Sequence, residues 1–348
     1  MEKLGGVGLL LSRPSKTALL RLLLAAALCS QRKMTGGWPA EGRLAGRSAD
    51  RVSGSGFETG EETFGTAVGE RDEDGEPCGS NVGLQWWGSL ALCNCCEWRE
   101  IECDPTTRRV IQLSLNGGRD YNLGDWVLNA SLFQPFKELQ SLELGYNGLV
   151  GCMENEGFEV LSSKLRELNL GDNGFNNDKS ILSCFNGNLS TLKSLDLSYI
   201  WLTAGSGGSF YGLKVLSSRL KKLENLHLRS NQYNDSIFPS LTGFSSLKSL
   251  DLSGNQLTGS GFEIISSHLG KLENLDLSYN IFNDNIFSHL RGLSPLKSLN
   301  LSGNMLLGST TVNGKVVKSL DFSGNLFKDA GILAVIANIP EDPFSQGY

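Results

Sequence analysis

The sequence predicts an α/β solenoid, a curved stack of about nine short units whose strands join in one parallel sheet on the concave side. Three observations predict it. Leu-x-Leu pairs recur at Leu113/Leu115, Leu142/Leu144, Leu168/Leu170, Leu195/Leu197, Leu226/Leu228, Leu250/Leu252, Leu275/Leu277, Leu299/Leu301 and, as a variant, Leu320/Phe322. The steps between them are 29, 26, 27, 31, 24, 25, 24 and 21 residues, ragged at first and then near 24. An Asn follows most pairs at a fixed distance, as Asn147, Asn173, Asn231, Asn255, Asn280, Asn304 and Asn325, while the fourth unit has Ile200 instead. Self-similarity at such a period is the mark of a stacked array.

Each unit can be justified from its spacing. In Leu250-Asp251-Leu252 the alternation has period 2, so the leucines point inward and Asp251 outward from a short strand. One such strand cannot bury its leucines alone, so its neighbours must supply the interior. The Asn stands where the chain turns inward, and its amide can donate to and accept from backbone groups that a short strand leaves unpaired. Another apolar residue lies three before most pairs (Leu139, Leu165, Leu192, Leu223, Leu247, Leu272, Leu296, Val317). Stretches such as "FEIISSHLGKL" (Phe262 to Leu272) read as short helical or 3₁₀ returns. Returns wider than strands bend the stack and leave the sheet concave.

Ahead of the array the chain changes character. The first forty residues carry six basic groups against Glu2 alone, and Leu22 to Cys29 forms a short apolar run with small residues at Ala25 to Ala27. That segment reads as a signal peptide, an organellar transit peptide being the alternative, and it is too short to span a bilayer. Glu41 to Glu76 then holds ten acidic against four basic side chains in a Gly-rich context, which buries too little apolar surface to fold. The expected division is a signal-peptide-like segment (1–30), a disordered linker (31–90), an incomplete cysteine cap (91–109), the repeats (110–338) and a tail (339–348). With 348 residues, 40% hydrophobic content and net charge −6, the chain has enough apolar residues for a core and lacks the basic footprint of a nucleic-acid binder. No later stretch supplies 18 uninterrupted apolar residues, so no membrane span is expected.

The pattern "LxxLxLxxNxLxG", written here as "LKSLDLSGNQLTG" (Leu247 to Gly259), resembles the leucine-rich repeat of extracellular plant proteins. "CCEWREIECDPTTRRVIQLSL" (Cys95 to Leu115) resembles the amino-terminal cap and first strand of plant receptor-like proteins. The resemblance runs from about Cys93 to Phe344. It implies a leucine-rich-repeat horseshoe that recognises a peptide or protein ligand at the cell surface, in signalling or defence, with a receptor kinase as co-receptor. It implies also a secretory-pathway protein, extracellular or on the outer face of the plasma membrane. This chain departs from the family in ending at "IPEDPFSQGY", so a truncated gene product is expected. A secreted inhibitor of the polygalacturonase-inhibiting type is the rival, although of the "GxIP" signature only "SIFPSL" (Ser236 to Leu241) comes near.

Eight cysteines include Cys93, Cys95, Cys96 and Cys103 within eleven residues. Cys96 to Cys103 spans a short loop around Trp98 that a disulfide would staple over the first strand. In the resembled family the partner of Cys95 lies ahead of a helix that this chain lacks, leaving Cys78 or Cys93 as choices. Zinc is disfavoured by adjacent cysteines and the absence of two separate CxxC pairs, and neither metal nor cofactor is expected. Cys152 and Cys184 lie one repeat apart and could pair. Sequons stand at Asn129, Asn188, Asn234 and Asn300, the last between two strand leucines.

No catalytic motif is present, and the three histidines are scattered, so an enzyme is not expected. The outward Asp column (Asp196, Asp251, Asp276, Asp321) reads as structural or solubilising. Binding candidates are the side chains that break the bland pattern: His227 and Arg229 in the fifth unit, and Tyr146, Tyr199 and Tyr279 in one column before the Asn or its replacement. The alternative for each Tyr is packing over the neighbouring rung. The insertion from Thr203 to Arg219 lies beside these residues and marks an irregular loop.

Overall fold

Leucine pairs set the architecture. The computed structural model describes residues 95–327 apart from 120–123, 162, 188, 203–209, 291 and 309–318. The segments expected at 1–30, 31–90 and 339–348 lie outside the described residues, as do Cys78, Cys93, Asn188 and the start of the insertion. The nine units become strands β2 (Val110–Ser114), β4 (Ser141–Glu143), β6 (Glu167–Asn169), β7 (Ser194–Asp196), β8 (Asn225–His227), β9 (Ser249–Asp251), β10 (Asn274–Asp276), β11 (Ser298–Asn300) and β12 (Ser319–Asp321). They pair in parallel and in phase, so the first leucines of all nine pairs stack in one row from Leu113 to Leu320. No leucine of a pair between Leu113 and Leu301 is more than 4% exposed, which fixes the inward face.

The strands are only about three residues long for a local reason. Asp251 Oδ1 accepts the Ser253 backbone N–H at 2.9 Å, and Asp196, Asp276 and Asp321 do the same to Ser198, Ser278 and Ser323. Asn169 and Asn300 serve Gly171 and Ser302 likewise. A side chain that binds the backbone two residues on turns the chain out of the strand. The outward Asp and Asn residues of this column are therefore the device that ends six of the nine rungs.

The buried asparagines then tie rung to rung. Asn255 Nδ2 donates to Leu252 O (2.9 Å) and Ser253 O (3.1 Å) of its own rung and to Leu228 O (3.1 Å) of the preceding one. Its Oδ1 accepts the N–H groups of Asn231 (3.1 Å) and Tyr233 (2.9 Å). The same donation to a preceding rung is made by Asn147, Asn173, Asn231, Asn280, Asn304 and Asn325. Ile200, fully buried, interrupts the ladder between Asn173 and Asn231 because it has no amide to offer.

Helical returns line the convex side: α1 (Asp178–Ser183), α2 (Tyr211–Arg219), α3 (Phe238–Leu241), α4 (Glu263–His268) and α5 (Ile286–Leu290), with 3₁₀ turns at Ala130–Phe133, Phe158–Val160 and Asp235–Ile237. Helices pack 8–10 Å apart and strands under 5 Å, so the stack curves with its sheet inside. Phenylalanines fill the returns edge to face, with Phe238–Phe262 centroids 5.3 Å and Phe262–Phe282 centroids 6.1 Å apart. One element was not expected from the sequence. In the first and second units the return includes a two-stranded parallel sheet, β3 (Trp126–Leu128) with β5 (Leu149–Cys152).

At the amino-terminal end β1 (Ile101–Cys103) pairs antiparallel with β2 and closes the sheet edge, covered by Trp98 and Cys95. Cys96 bonds Cys103, and Cys95 is disulfide-bonded as well, its partner lying outside the described residues. Cys152 bonds Cys184 across 32 residues, joining β5 to the end of α1. Loop-closure entropy assigns the longer bridge about 4 kcal/mol and the seven-residue cap loop about 2 kcal/mol.

Candidate functional site

On the concave face of the first six units the sheet carries a cavity of about 630 Å³. Tyr146, Tyr199, His227 and Arg229, four of the five residues expected to bind, line it together. Tyr279 lies outside it, 66% exposed, and a Cβ added to Gly303 would be 2.8 Å from its ring, so this ring sits over the next rung. The remaining lining residues were not picked out by sequence: Asn116, Gly145, Asn169, Gly171, Asp172, Asp196, Ser198 and Asp251. Alignment of the units would have flagged Gly145 and Gly171, which stand in a column where other rungs carry Ser, Asn or Arg. They leave this column without side chains on rungs two and three.

The walls have an unusual backbone. The position before each ladder Asn, or before Ile200, is left-handed, and glycine fills it at Gly254, Gly303 and Gly324 with φ of 65°, 64° and 66°. That is the ordinary solution, because a Cβ is strained there. Tyr146 (φ 59°), Asp172 (φ 54°), Tyr199 (φ 55°), Ser230 (φ 55°) and Tyr279 (φ 52°) occupy the same column against that preference. A bulky side chain in this region costs of order 1–2 kcal/mol and clusters at functional sites in proteins generally. Trp201 is also left-handed (φ 58°), 55% exposed, and donates its N–H to Asn231 Oδ1 at 3.0 Å.

The cavity is divided electrically. Burial pushes the Asp172 carboxyl above the ordinary value and the Asp196 carboxylate pushes the same way, against a hydrogen bond from Tyr146. His227 is raised chiefly by Asp251, whose Oδ2 lies 3.9 Å from Nδ1, and by Asp196, while burial opposes. Burial pushes Asp251 up, yet His227 and the Ser253 hydroxyl and backbone N–H outweigh it and hold the carboxyl low. Arg229 is exposed and forms no ion pair among the described residues. Carboxylates thus gather over rungs three and four, and Arg229 and His227 stand over rung five, with Asp251 on rung six beside them.

The other expected sites are structural in placement. The sulfurs of Cys95, Cys96 and Cys103 lie within 4.8 Å of one another, but each is in a disulfide and offers no thiolate to a metal. Asn129 and Asn234 cap 3₁₀ turns by accepting from Ser131 and Ser236. Asn300 is half-buried on the sheet, its Nδ2 donating to Asp276 Oδ2 at 3.0 Å and its Oδ1 accepting from Ser302. Among the described residues no helix is long and apolar enough to cross a membrane.

A leucine-rich repeat family model matches residues 245–263. The chain is similar to Cuscuta receptor 1 of Solanum lycopersicum, 34% identical over 212 residues, a match covering 51% of this chain and 18% of that protein. It is similar also to receptor like protein 21 of Arabidopsis thaliana, 36% identical over 188 residues, covering 52% and 18%. Receptor-like protein 13 of the same plant is 32% identical over 217 residues, covering 51% and 19%. The chain therefore spans less than a fifth of the length of these relatives. Among solved structures, an internalin from Listeria monocytogenes matches at TM-score 0.41 and 21% identity over 62% of this chain and 64% of its own.

Proposed function

We propose that this chain, a leucine-rich-repeat solenoid related to plant receptor-like proteins, is a non-enzymatic module that recognises a peptide or protein ligand in its concave cavity. The observation that carries the reading is the cluster of Tyr146, Tyr199, His227 and Arg229 around one cavity, with both tyrosines in backbone positions that glycine fills elsewhere. Bulky side chains held there at a cost to stability are accounted for when they contact something. Aromatic and Arg side chains are those that carry binding energy at interfaces.

The proposal extends to a receptor role at the cell surface, which the relatives' names support, and further to signalling or defence with a receptor kinase as partner, which the resemblance implies. Disulfides at Cys96–Cys103 and Cys152–Cys184 favour an oxidising compartment, in keeping with an extracellular or outer-membrane-face location. The irregular rungs and the near absence of "GxIP" favour a receptor-like module over a polygalacturonase-type inhibitor.

Selection of random peptides on the recombinant chain tests the reading. The double variant His227→Ala/Arg229→Ala is expected to lose the selected peptides while its melting temperature stays within about 2 °C, because both side chains are half-buried or exposed. Equal retention by the double variant overturns it. Mass mapping under non-reducing conditions tests the compartment; Cys96 and Cys103 found as free thiols in the native protein would sink the extracellular proposal.

A further inference from the structure

We infer that Tyr146, Asp172 and Tyr199 form a slot for a basic side chain, so that the ligand of the concave cavity is a segment presenting a lysine or arginine to it. The inference rests on the cavity being a recognition surface and adds the chemistry of what enters. The three residues occupy one left-handed column on consecutive rungs, those of β4, β6 and β7. Parallel strands lie about 4.8 Å apart, so the backbones of the two tyrosines stand roughly 10 Å apart, with Asp172, which Tyr146 hydrogen-bonds, on the rung between them. A lysine or arginine stem fits between two such rings, its cation meeting Asp172 and the ring faces. Gly145 and Gly171 in the adjoining column remove the side chains that would otherwise block the way in.

The charges around the slot agree. Asp196, on the rung of Tyr199, adds a second carboxylate beside Asp172, and burial with Asp196 already pushes the Asp172 proton affinity up. An incoming cation relieves that repulsion; an anion would add to it. Asp251 is engaged by His227, and Arg229 stands two rungs away from Asp172. The slot is thus the more acidic part of a cavity whose other end pairs Arg229 and His227 with the single carboxylate of Asp251. A neutral oligosaccharide could use the same hydroxyl and amide groups, but it would gain nothing from the paired carboxylates.

The test uses the whole recombinant chain and a phage-displayed library of random heptapeptides, followed by fluorescence anisotropy on the best peptide. Lysine or arginine should be enriched at one position, and replacing it by norleucine should weaken binding to the wild type roughly tenfold. On Asp172→Asn protein the same replacement should cost no more than about twofold. Asn tolerates a left-handed backbone, so this variant keeps the fold, and its melting temperature verifies that. Peptides that bind in a His227- and Arg229-dependent way yet carry no basic residue overturn the slot while leaving the recognition reading intact. An undiminished norleucine cost on Asp172→Asn, or binding of neutral glycans in place of basic peptides, overturns the slot as well. Selection of no peptide by wild type over the His227→Ala/Arg229→Ala protein overturns both.

Discussion

Rungs six to eight and rungs two to four are built to one plan and used differently. In the later group Asn255, Asn280 and Asn304 follow one another without a gap, and the left-handed column reads Gly254, Tyr279, Gly303. In the earlier group the column reads Tyr146, Asp172, Tyr199, the ladder breaks at Ile200, and a second small sheet and a disulfide are added on the convex side. The later rungs follow the least strained solution at almost every position. The earlier rungs depart from it where the cavity lies, and the Cys152–Cys184 bridge joins the returns behind them. Of the departures from glycine in this column, Tyr146, Asp172 and Tyr199 line the cavity, while Ser230 and Tyr279 do not.

The largest expected effect is on the regular part. Asn255→Leu removes an amide that makes five buried hydrogen bonds and leaves backbone groups of two rungs unpaired, so urea unfolding should show a loss of about 3–5 kcal/mol. A loss below about 1 kcal/mol would mean that the ladder is ornamental and the comparison unsound.

Next comes the left-handed column. Tyr199→Gly and Tyr146→Gly should each leave stability unchanged or raise it by about 1 kcal/mol, because glycine relaxes φ, while binding of selected peptides falls. Tyr279→Gly should behave the same way in thermal melts and leave peptide binding intact, since it lies outside the cavity. If the two cavity tyrosines prove strongly stabilising, they are packing residues and the contrast between the two groups of rungs narrows.

A smaller effect belongs to an edge shared by both groups. Glu224 bridges Lys193 and Lys248 from adjacent rungs, and these bonds, Lys193 first, hold its carboxyl at about 2. Its stabilisation is present above the unfolded carboxylate value and is lost as pH falls toward 2. With partners exposed to solvent, Glu224→Gln should cost only about 0.5 kcal/mol at neutral pH, and less in high salt. A salt-independent loss above about 2 kcal/mol would contradict this.

The smallest belongs to His227. Its folded value lies above the ordinary one, so its contribution is fully present below about pH 6.5 and fades as pH rises through the raised folded value. Because its side chain is 41% exposed, the wild type should exceed His227→Ala by a few tenths of a kcal/mol at pH 5.5 and by less at pH 8.5. The opposite trend would place the Asp251 pair elsewhere.

The inward leucines and the asparagine ladder were legible in the sequence because their spacing repeats whatever the length of the return. The site was legible only in part. Tyr146, Tyr199, His227 and Arg229 stood out as departures from consensus, but Asp196 read as an ordinary outward acid and Asp172 did not stand out at all. Their meeting depends on registering units of 26, 27 and 31 residues against one another. The Lys193, Glu224, Lys248, Glu273 and Lys297 edge was hidden for the same reason: its alternation of sign exists across rungs and not along the chain. The β3–β5 sheet was missed because it requires neighbouring returns to be extended together, a tertiary condition that short apolar runs do not announce.

The left-handed column has one consequence for how such an array can change. Three rungs keep glycine at this position, Gly254, Gly303 and Gly324, and five hold a side chain there instead, so the column tolerates exchange rung by rung. Each exchange draws a similar small toll from a stability that is itself small. A solenoid of this kind can therefore rewrite its specificity one rung at a time, but only a handful of rungs can be written at once.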